Sequence, residues 1–101
     1  MDDFDIGHLD DVIHGRLRLG VMAFLSTAGN ADFNTLKARL SATDGNLSVH
    51  LKKLEEAGYV RIDKRFVGKK PHTEAVLTDA GRAAFIRYLD AMSRLVDQGR
   101  G

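Results

Sequence analysis

Along most of this chain apolar side chains recur every three or four residues, but between residues 60 and 77 the interval drops to two. Val60, Ile62 and Phe66 alternate with Arg61, Asp63 and Arg65, with Lys64 breaking the apolar side once, and Thr73, Ala75 and Leu77 repeat the pattern more weakly. A period of two belongs to a half-buried strand. Between the two runs Gly68 can take a positive φ, and Pro71, which lacks a backbone donor, suits a loop. The spacing therefore predicts a hairpin whose tip lies near the segment GKKP, exposed and positively charged.

Everything else reads as helix. Leu9, Val12, Ile13, Leu17, Val21, Phe24 and Leu25 fall on one helical face and predict a first helix over about 9–27, bent near Gly15 and stopped at Ala28, Gly29 and Asn30. A short extended piece follows at Ala31 to Phe33. Asn34 is the expected cap of a second helix that buries Leu36 and Leu40 and ends near Ser41. In DGNLSVHLKKLEEAG, Leu47, Leu51 and Leu54 make the buried stripe of a third helix, with Thr43 or Asp44 as its cap and Gly58 as its stop. After the hairpin, Thr78 is placed to cap a last helix over about 79–97, whose apolar stripe runs through Phe85, Tyr88, Leu89, Met92, Leu95 and Val96.

At 101 residues, 44% of them hydrophobic, the chain fits a single domain spanning 1–101. No apolar run is long enough for a membrane span, and MDDFDIGHLDD is acidic where a signal peptide is basic, so a cytoplasmic protein with no membrane partner is expected. The absence of cysteine excludes disulfides, thiolate metal sites and a cysteine nucleophile. Net charge is only +1, yet residues 1–11 hold five aspartates and no Lys or Arg, whereas residues 32–74 hold nine basic against six acidic side chains. The basic middle is the part suited to a polyanion. There is no nucleophile elbow, no phosphate-cradling glycine loop and no HExxH zinc motif, so an enzyme is not expected, nor is a cofactor.

Helix, short strand, helix, tight turn, helix, hairpin, helix is the order of a mainly α fold with one small β-hairpin, the winged helix-turn-helix with long terminal helices. The helix-turn-helix then covers about 34–57 and the wing about 59–77. At ATDGNLSVHLKKLEEAGYVRID the chain resembles the recognition helix and following strand of the MarR and ArsR groups of bacterial winged-helix transcription regulators, through Leu47, Ser48, Leu51, Lys52, Leu54, Glu55, Glu56, Ala57, Gly58, Tyr59 and Val60. RFVGKKPHTEAVLTDAGR is similar to their wing and the start of their last helix. Two features depart from those groups: the cysteines of metal-sensing ArsR members are absent, and the helical extensions of full-length MarR members are short or missing. The resemblance implies double-stranded DNA as partner and specifies no signal or effector.

A recognition helix buries one face in its domain and offers the other to the major groove. With Leu47, Leu51 and Leu54 inward, Asp44, Asn46, Ser48, Val49, Lys52 and Lys53 are left for the outward and flanking positions. Asn46, Ser48 and Val49, in the first turns, are candidates for base readout: Asn can bond adenine, Ser a donor or an acceptor, and Val a thymine methyl. Lys52 suits a phosphate. Arg65, Lys69 and Lys70 of the wing suit backbone or minor groove; His72 is either a phosphate contact or a plain loop residue.

The bland counterparts of these readings are a solvated helix face for Lys52 and Lys53, balanced by Glu55 and Glu56, and a packing or hydrogen-bonding role for His50. His8, Asp10, Asp11 and His14, at helical spacing, have the chemistry of a zinc or nickel site, but an acidic helix start that complements the helix dipole explains them more simply, and no metal is expected. The alternative function is a winged helix that contacts protein within a larger assembly. The apolar stripes of the first and last helices predict a homodimer in which they pair across a two-fold axis, presenting two recognition helices to a pseudo-palindrome.

Overall fold

A computed structural model describes residues 6–100. A 3₁₀ turn at Ile6–His8 leads through further turns to helix α1 (Arg16–Ala28), strand β1 (Asn30–Asp32), helix α2 (Phe33–Arg39), helix α3 (Asp44–Glu56), strands β2 (Val60–Val67) and β3 (Lys70–Leu77), and helix α4 (Asp79–Arg100). The strands form one antiparallel sheet in the order β1-β3-β2. The predicted helices, short strand and hairpin are all present, in the predicted order.

Helices α1, α2 and α3 close over the base of the sheet. Ile13, Val21, Met22, Leu25, Leu36, Leu47 and Leu54 are fully buried there, together with Val60 and Ala75 from the sheet and Ala84, Phe85 and Tyr88 from α4. Gly81 fixes how α4 meets β2: a Cβ on it would lie 2.1 Å from the Tyr59 carbonyl oxygen. Thr78 caps α4 as predicted, its hydroxyl oxygen accepting from the Gly81 N–H at 2.9 Å while it donates to the Gly58 carbonyl at 2.6 Å. Helix α4 then runs on for 22 residues, and the molecule measures 59 × 25 × 21 Å.

Four local expectations need correction. The first helix starts at Arg16, not near Leu9. Asp10 captures the preceding segment in turns, its carboxylate accepting from Val12 N–H at 2.8 Å and its carbonyl from Ile13 and His14. An aspartate that bonds the backbone two residues on competes with helix. Leu9, Val12 and Ile13 still pack on the core, so their spacing recorded burial correctly and conformation wrongly. Second, α2 is capped by Asp32, which accepts from Thr35 N–H at 2.7 Å, while Asn34 lies inside the helix. Hydrogen bonding from Thr35, through its side chain first and its backbone N–H second, holds the Asp32 carboxyl below its ordinary range.

Third, Pro71 sits within β3, opposite Phe66, rather than in the loop. β1 meets β3 only from Glu74 to Val76, so at Pro71 one flank of β3 has no neighbouring strand and the missing donor costs nothing. Fourth, Phe66 is not on a buried face: it is 73% exposed, because the hairpin has by then run past the core.

Candidate nucleic-acid interface

Helix α3 begins where the Thr43 hydroxyl accepts from Asn46 N–H at 3.2 Å, so Thr43 is the cap of the two proposed by sequence. Leu47, Leu51 and Leu54 anchor its inner face. At 100° per residue Val49 lies almost opposite that leucine stripe, and it is 54% exposed. Asn46, Ser48, Lys52 and Lys53 are exposed around it. Asp44 is exposed as well, but its carboxylate is taken by Lys37 of α2 at 2.8 Å, an ion pair across the turn between the two helices.

The back of α3 is tied to α1. Arg18 donates to the Val12 carbonyl at 2.6 Å and to His50 Nδ1 at 2.8 Å. Because guanidinium only donates, His50 accepts at that nitrogen. Burial, followed by the charges of Arg18 and Lys53, pushes the His50 imidazole below its ordinary pKa. His50 is therefore a half-buried hydrogen-bonding residue, the simpler of its two sequence readings. Nothing in the sequence marked Arg18 as its partner, 32 positions away.

The wing turns through Gly68 and Lys69 alone, with Val67 facing Lys70. Gly68 has φ 65°, and no positive φ falls on Lys69, as a II′ hairpin turn requires. The register sorts the side chains onto two faces. Ile62, Lys64 and Phe66 share one with Ala75, Thr73 and Pro71; Asp63, Arg65 and Val67 share the other with Glu74, His72 and Lys70.

The first of these faces looks toward α3. Ser48, Leu51, Lys52 and Glu55 of the helix, Phe33 of α2, and Ile62, Lys64 and Thr73 of the hairpin line one open cleft of about 470 Å³. The polar flank of α3 and the root of the wing thus share one side of the molecule. Lys69 and Lys70 are exposed at the tip. Among the described residues no acid pairs with Lys52, Lys53, Lys64, Arg65, Lys69 or Lys70. Arg61, by contrast, is bound to Asp63 through two hydrogen bonds, and that contact holds the Asp63 carboxyl below its usual range.

His72 stands apart from this group. It is half-buried on the other face of the hairpin, 3.9 Å from Glu74, and the cleft it lines also contains Asp32. Lys64 and Phe66 were not singled out by sequence as contacts. The break that Lys64 makes in the apolar alternation was the available signal. Among the described residues no three metal-ligating side chains gather into a site. The helical spacing that brought His8, Asp10, Asp11 and His14 together does not exist, since 9–14 is turn: Asp10 accepts from the Tyr59 hydroxyl at 2.5 Å and His14 Nδ1 bonds the Tyr88 hydroxyl at 2.8 Å. No helix among the described residues is long and apolar enough to cross a membrane.

Two helices joined by a tight turn, the second with an open polar flank beside a cationic hairpin, define a winged helix-turn-helix protein. Residues 17–96 match the winged helix DNA-binding domain, and the chain belongs to that family. An uncharacterized protein of Methanocaldococcus jannaschii is 38% identical over 78 residues, which cover 77% of this chain and 85% of that one. Among solved structures, a transcriptional regulator homologue from Pyrococcus horikoshii superposes with a TM-score of 0.80 at 31% identity, covering 86% of both chains. A MarR-family regulator from Silicibacter pomeroyi gives 0.67 at 25% identity, over 86% of this chain and 57% of that one. AbfR of Staphylococcus epidermidis, in its overoxidized form bound to DNA, shares the fold with a TM-score of 0.68 at 23% identity, over 76% of this chain and 56% of that one.

Proposed function

We propose that this protein is a cytoplasmic transcriptional regulator that binds double-stranded DNA sequence-specifically, with α3 in the major groove and the wing on the adjacent backbone or minor groove. The observation that carries the reading is the shared cleft: Ser48 and Lys52 on one wall, Lys64 and Thr73 on the other. In this reading Asn46, Ser48 and Val49 meet base edges, while Lys52, Lys53, Arg65, Lys69 and Lys70 neutralise phosphates. Lys64 joins them from the wall of the cleft. Asp44 acts indirectly, holding α2 to α3 through Lys37. His72 contributes to DNA contact only if it leaves its position near Glu74.

The protein acts as a homodimer in this proposal, with α4 leading the contact. Of the two faces predicted to pair, that of α1 is largely spent on the core through Val21, Met22 and Leu25. On α4, Phe85 and Tyr88 also turn inward, but Ile86, Leu89 and Val96 remain exposed at steps of three and seven. A second copy of the same stripe is the natural cover for it.

Fluorescence anisotropy with a random-sequence duplex, titrated with salt, tests the DNA reading. Affinity should be present at low salt and fall with a log–log slope that shrinks by about one unit for each of Lys69→Ala and Lys70→Ala. Absence of salt-sensitive affinity would leave the protein-contact role as the surviving use of the fold.

A further inference from the structure

Phosphate contacts do not account for the most conspicuous side chain on the wing. Phe66 is 73% exposed, and it faces Pro71 across the two strands, so ring and pyrrolidine form one apolar knob just below the turn. The knob stands four residues beyond Ile62, the last half-buried residue of β2 on that face, roughly 13 Å further out at ~3.3 Å per residue. It lies on the same sheet face as Ile62 and Lys64, which line the cleft shared with α3.

Its surroundings select the occupant. From Lys64 to Thr73 the chain carries four cations and no acid, and none of those cations is paired among the described residues. A second copy presenting the same tip would meet like charge. A polyanion that also offers a flat apolar surface matches both parts of the tip, and stacked base pairs between two phosphate backbones are such a surface.

We propose that Phe66, backed by Pro71, is a minor-groove wedge that partly unstacks one base step and kinks the duplex, while Lys64, Lys69 and Lys70 hold the flanking phosphates. The inference rests on the DNA reading and goes beyond it, since it assigns a deformation of the DNA and a source of specificity at a step the recognition helix does not touch. Flexible pyrimidine–purine steps are the cheapest to open, so one of these should lie under the wing.

The test uses the full chain and a duplex of about 30 base pairs, selected by the protein from a random pool and labelled at its ends with donor and acceptor dyes. Binding of the unmodified protein should raise energy transfer, reporting a bend of at least about 20°. Phe66→Ala should abolish that rise and weaken binding about tenfold. The salt slope should not change, because no charge is removed. Phe66→Leu, which keeps an apolar wedge, should restore part of the bend. Because Phe66 is exposed, the unfolding midpoints of both variants should match the parent.

Binding without bending, or an equal bend from Phe66→Ala, overturns the wedge and leaves the DNA-binding reading intact. No affinity for any duplex overturns both. A change of oligomeric state in Phe66→Ala reassigns the knob to a contact between copies and likewise overturns the wedge.

Discussion

Gly81→Ala should be among the most damaging single-methyl additions this chain can receive. The added Cβ would sit 2.1 Å from the Tyr59 carbonyl oxygen and 2.8 Å from its carbonyl carbon, where real Cβ contacts essentially never fall below 3.0 Å. Relief needs a movement of about 0.9 Å against backbone. The backbone there is not free to move, because Thr78 N–H donates to the same Tyr59 oxygen at 3.1 Å and the Thr78 hydroxyl binds Gly58. Forcing atoms into packed space costs about 1–3 kcal/mol, and removing a helix glycine returns at most about 1 kcal/mol. A backbone clash belongs at the upper end, so the net loss is about 2 kcal/mol, or a midpoint lowered by roughly 8–16 °C for a domain of this size. Urea unfolding at fixed protein concentration measures it, with Gly45→Ala as the matched control. Gly45 also lies in the first turn of a helix, yet a Cβ there meets nothing within 4 Å. That variant should be as stable as the parent or better by up to about 1 kcal/mol. If Gly81→Ala proved no less stable than Gly45→Ala, the close approach of α4 to β2 would be wrong.

Tyr59→Phe removes the 2.5 Å hydrogen bond to Asp10 and should cost about 1.5 kcal/mol, the lower value for a bond to a carboxylate, by chemical denaturation; a neutral result would mean that water replaces the hydroxyl freely. The His50 imidazole titrates lower in the fold than its ordinary 6.5, so the unfolded chain takes up the proton first on acidification. Its contribution is complete above pH 6.5 and is lost as pH falls through the depressed value. Melting midpoints should therefore decline more for the parent than for His50→Gln as pH falls from 6.5 to that value, and run parallel below it. The proposed dimer is tested by Leu89→Glu, on the exposed stripe of α4: the parent should sediment as a dimer and the variant as a folded monomer, whereas a monomeric parent or an unchanged mass would overturn the α4 pairing.

Local chemistry made the helix-turn-helix legible. Leu47, Leu51 and Leu54 recur at helical spacing, Thr43 and Thr78 are placed to cap, and Gly68 stands where a two-residue turn needs it. What escaped depended on competition or distance. At Asp10 a side chain outbid the helix for backbone donors, although the apolar spacing continued through it. Asp32 rather than Asn34 became the cap because β1 ends one residue earlier than the apolar pattern suggests. The outward position of Phe66 was invisible because alternation reveals which side chains share a face, and only the length of the hairpin beyond the core decides whether that face is covered. The site followed the same division: the open flank of α3 could be read from the leucines, whereas the Arg18–His50 link and the pairing of Asp44 with Lys37 are tertiary facts.

The long reach of α4 and the wing also affects how the protein behaves in solution. Its radius of gyration is 15.3 Å, against about 13 Å for a compact chain of this size, so even a lone copy drags more solvent than its mass implies. On a sizing column it would emerge early and pass for something heavier. Sedimentation equilibrium, which is blind to friction, counts the subunits where a sizing column miscounts them.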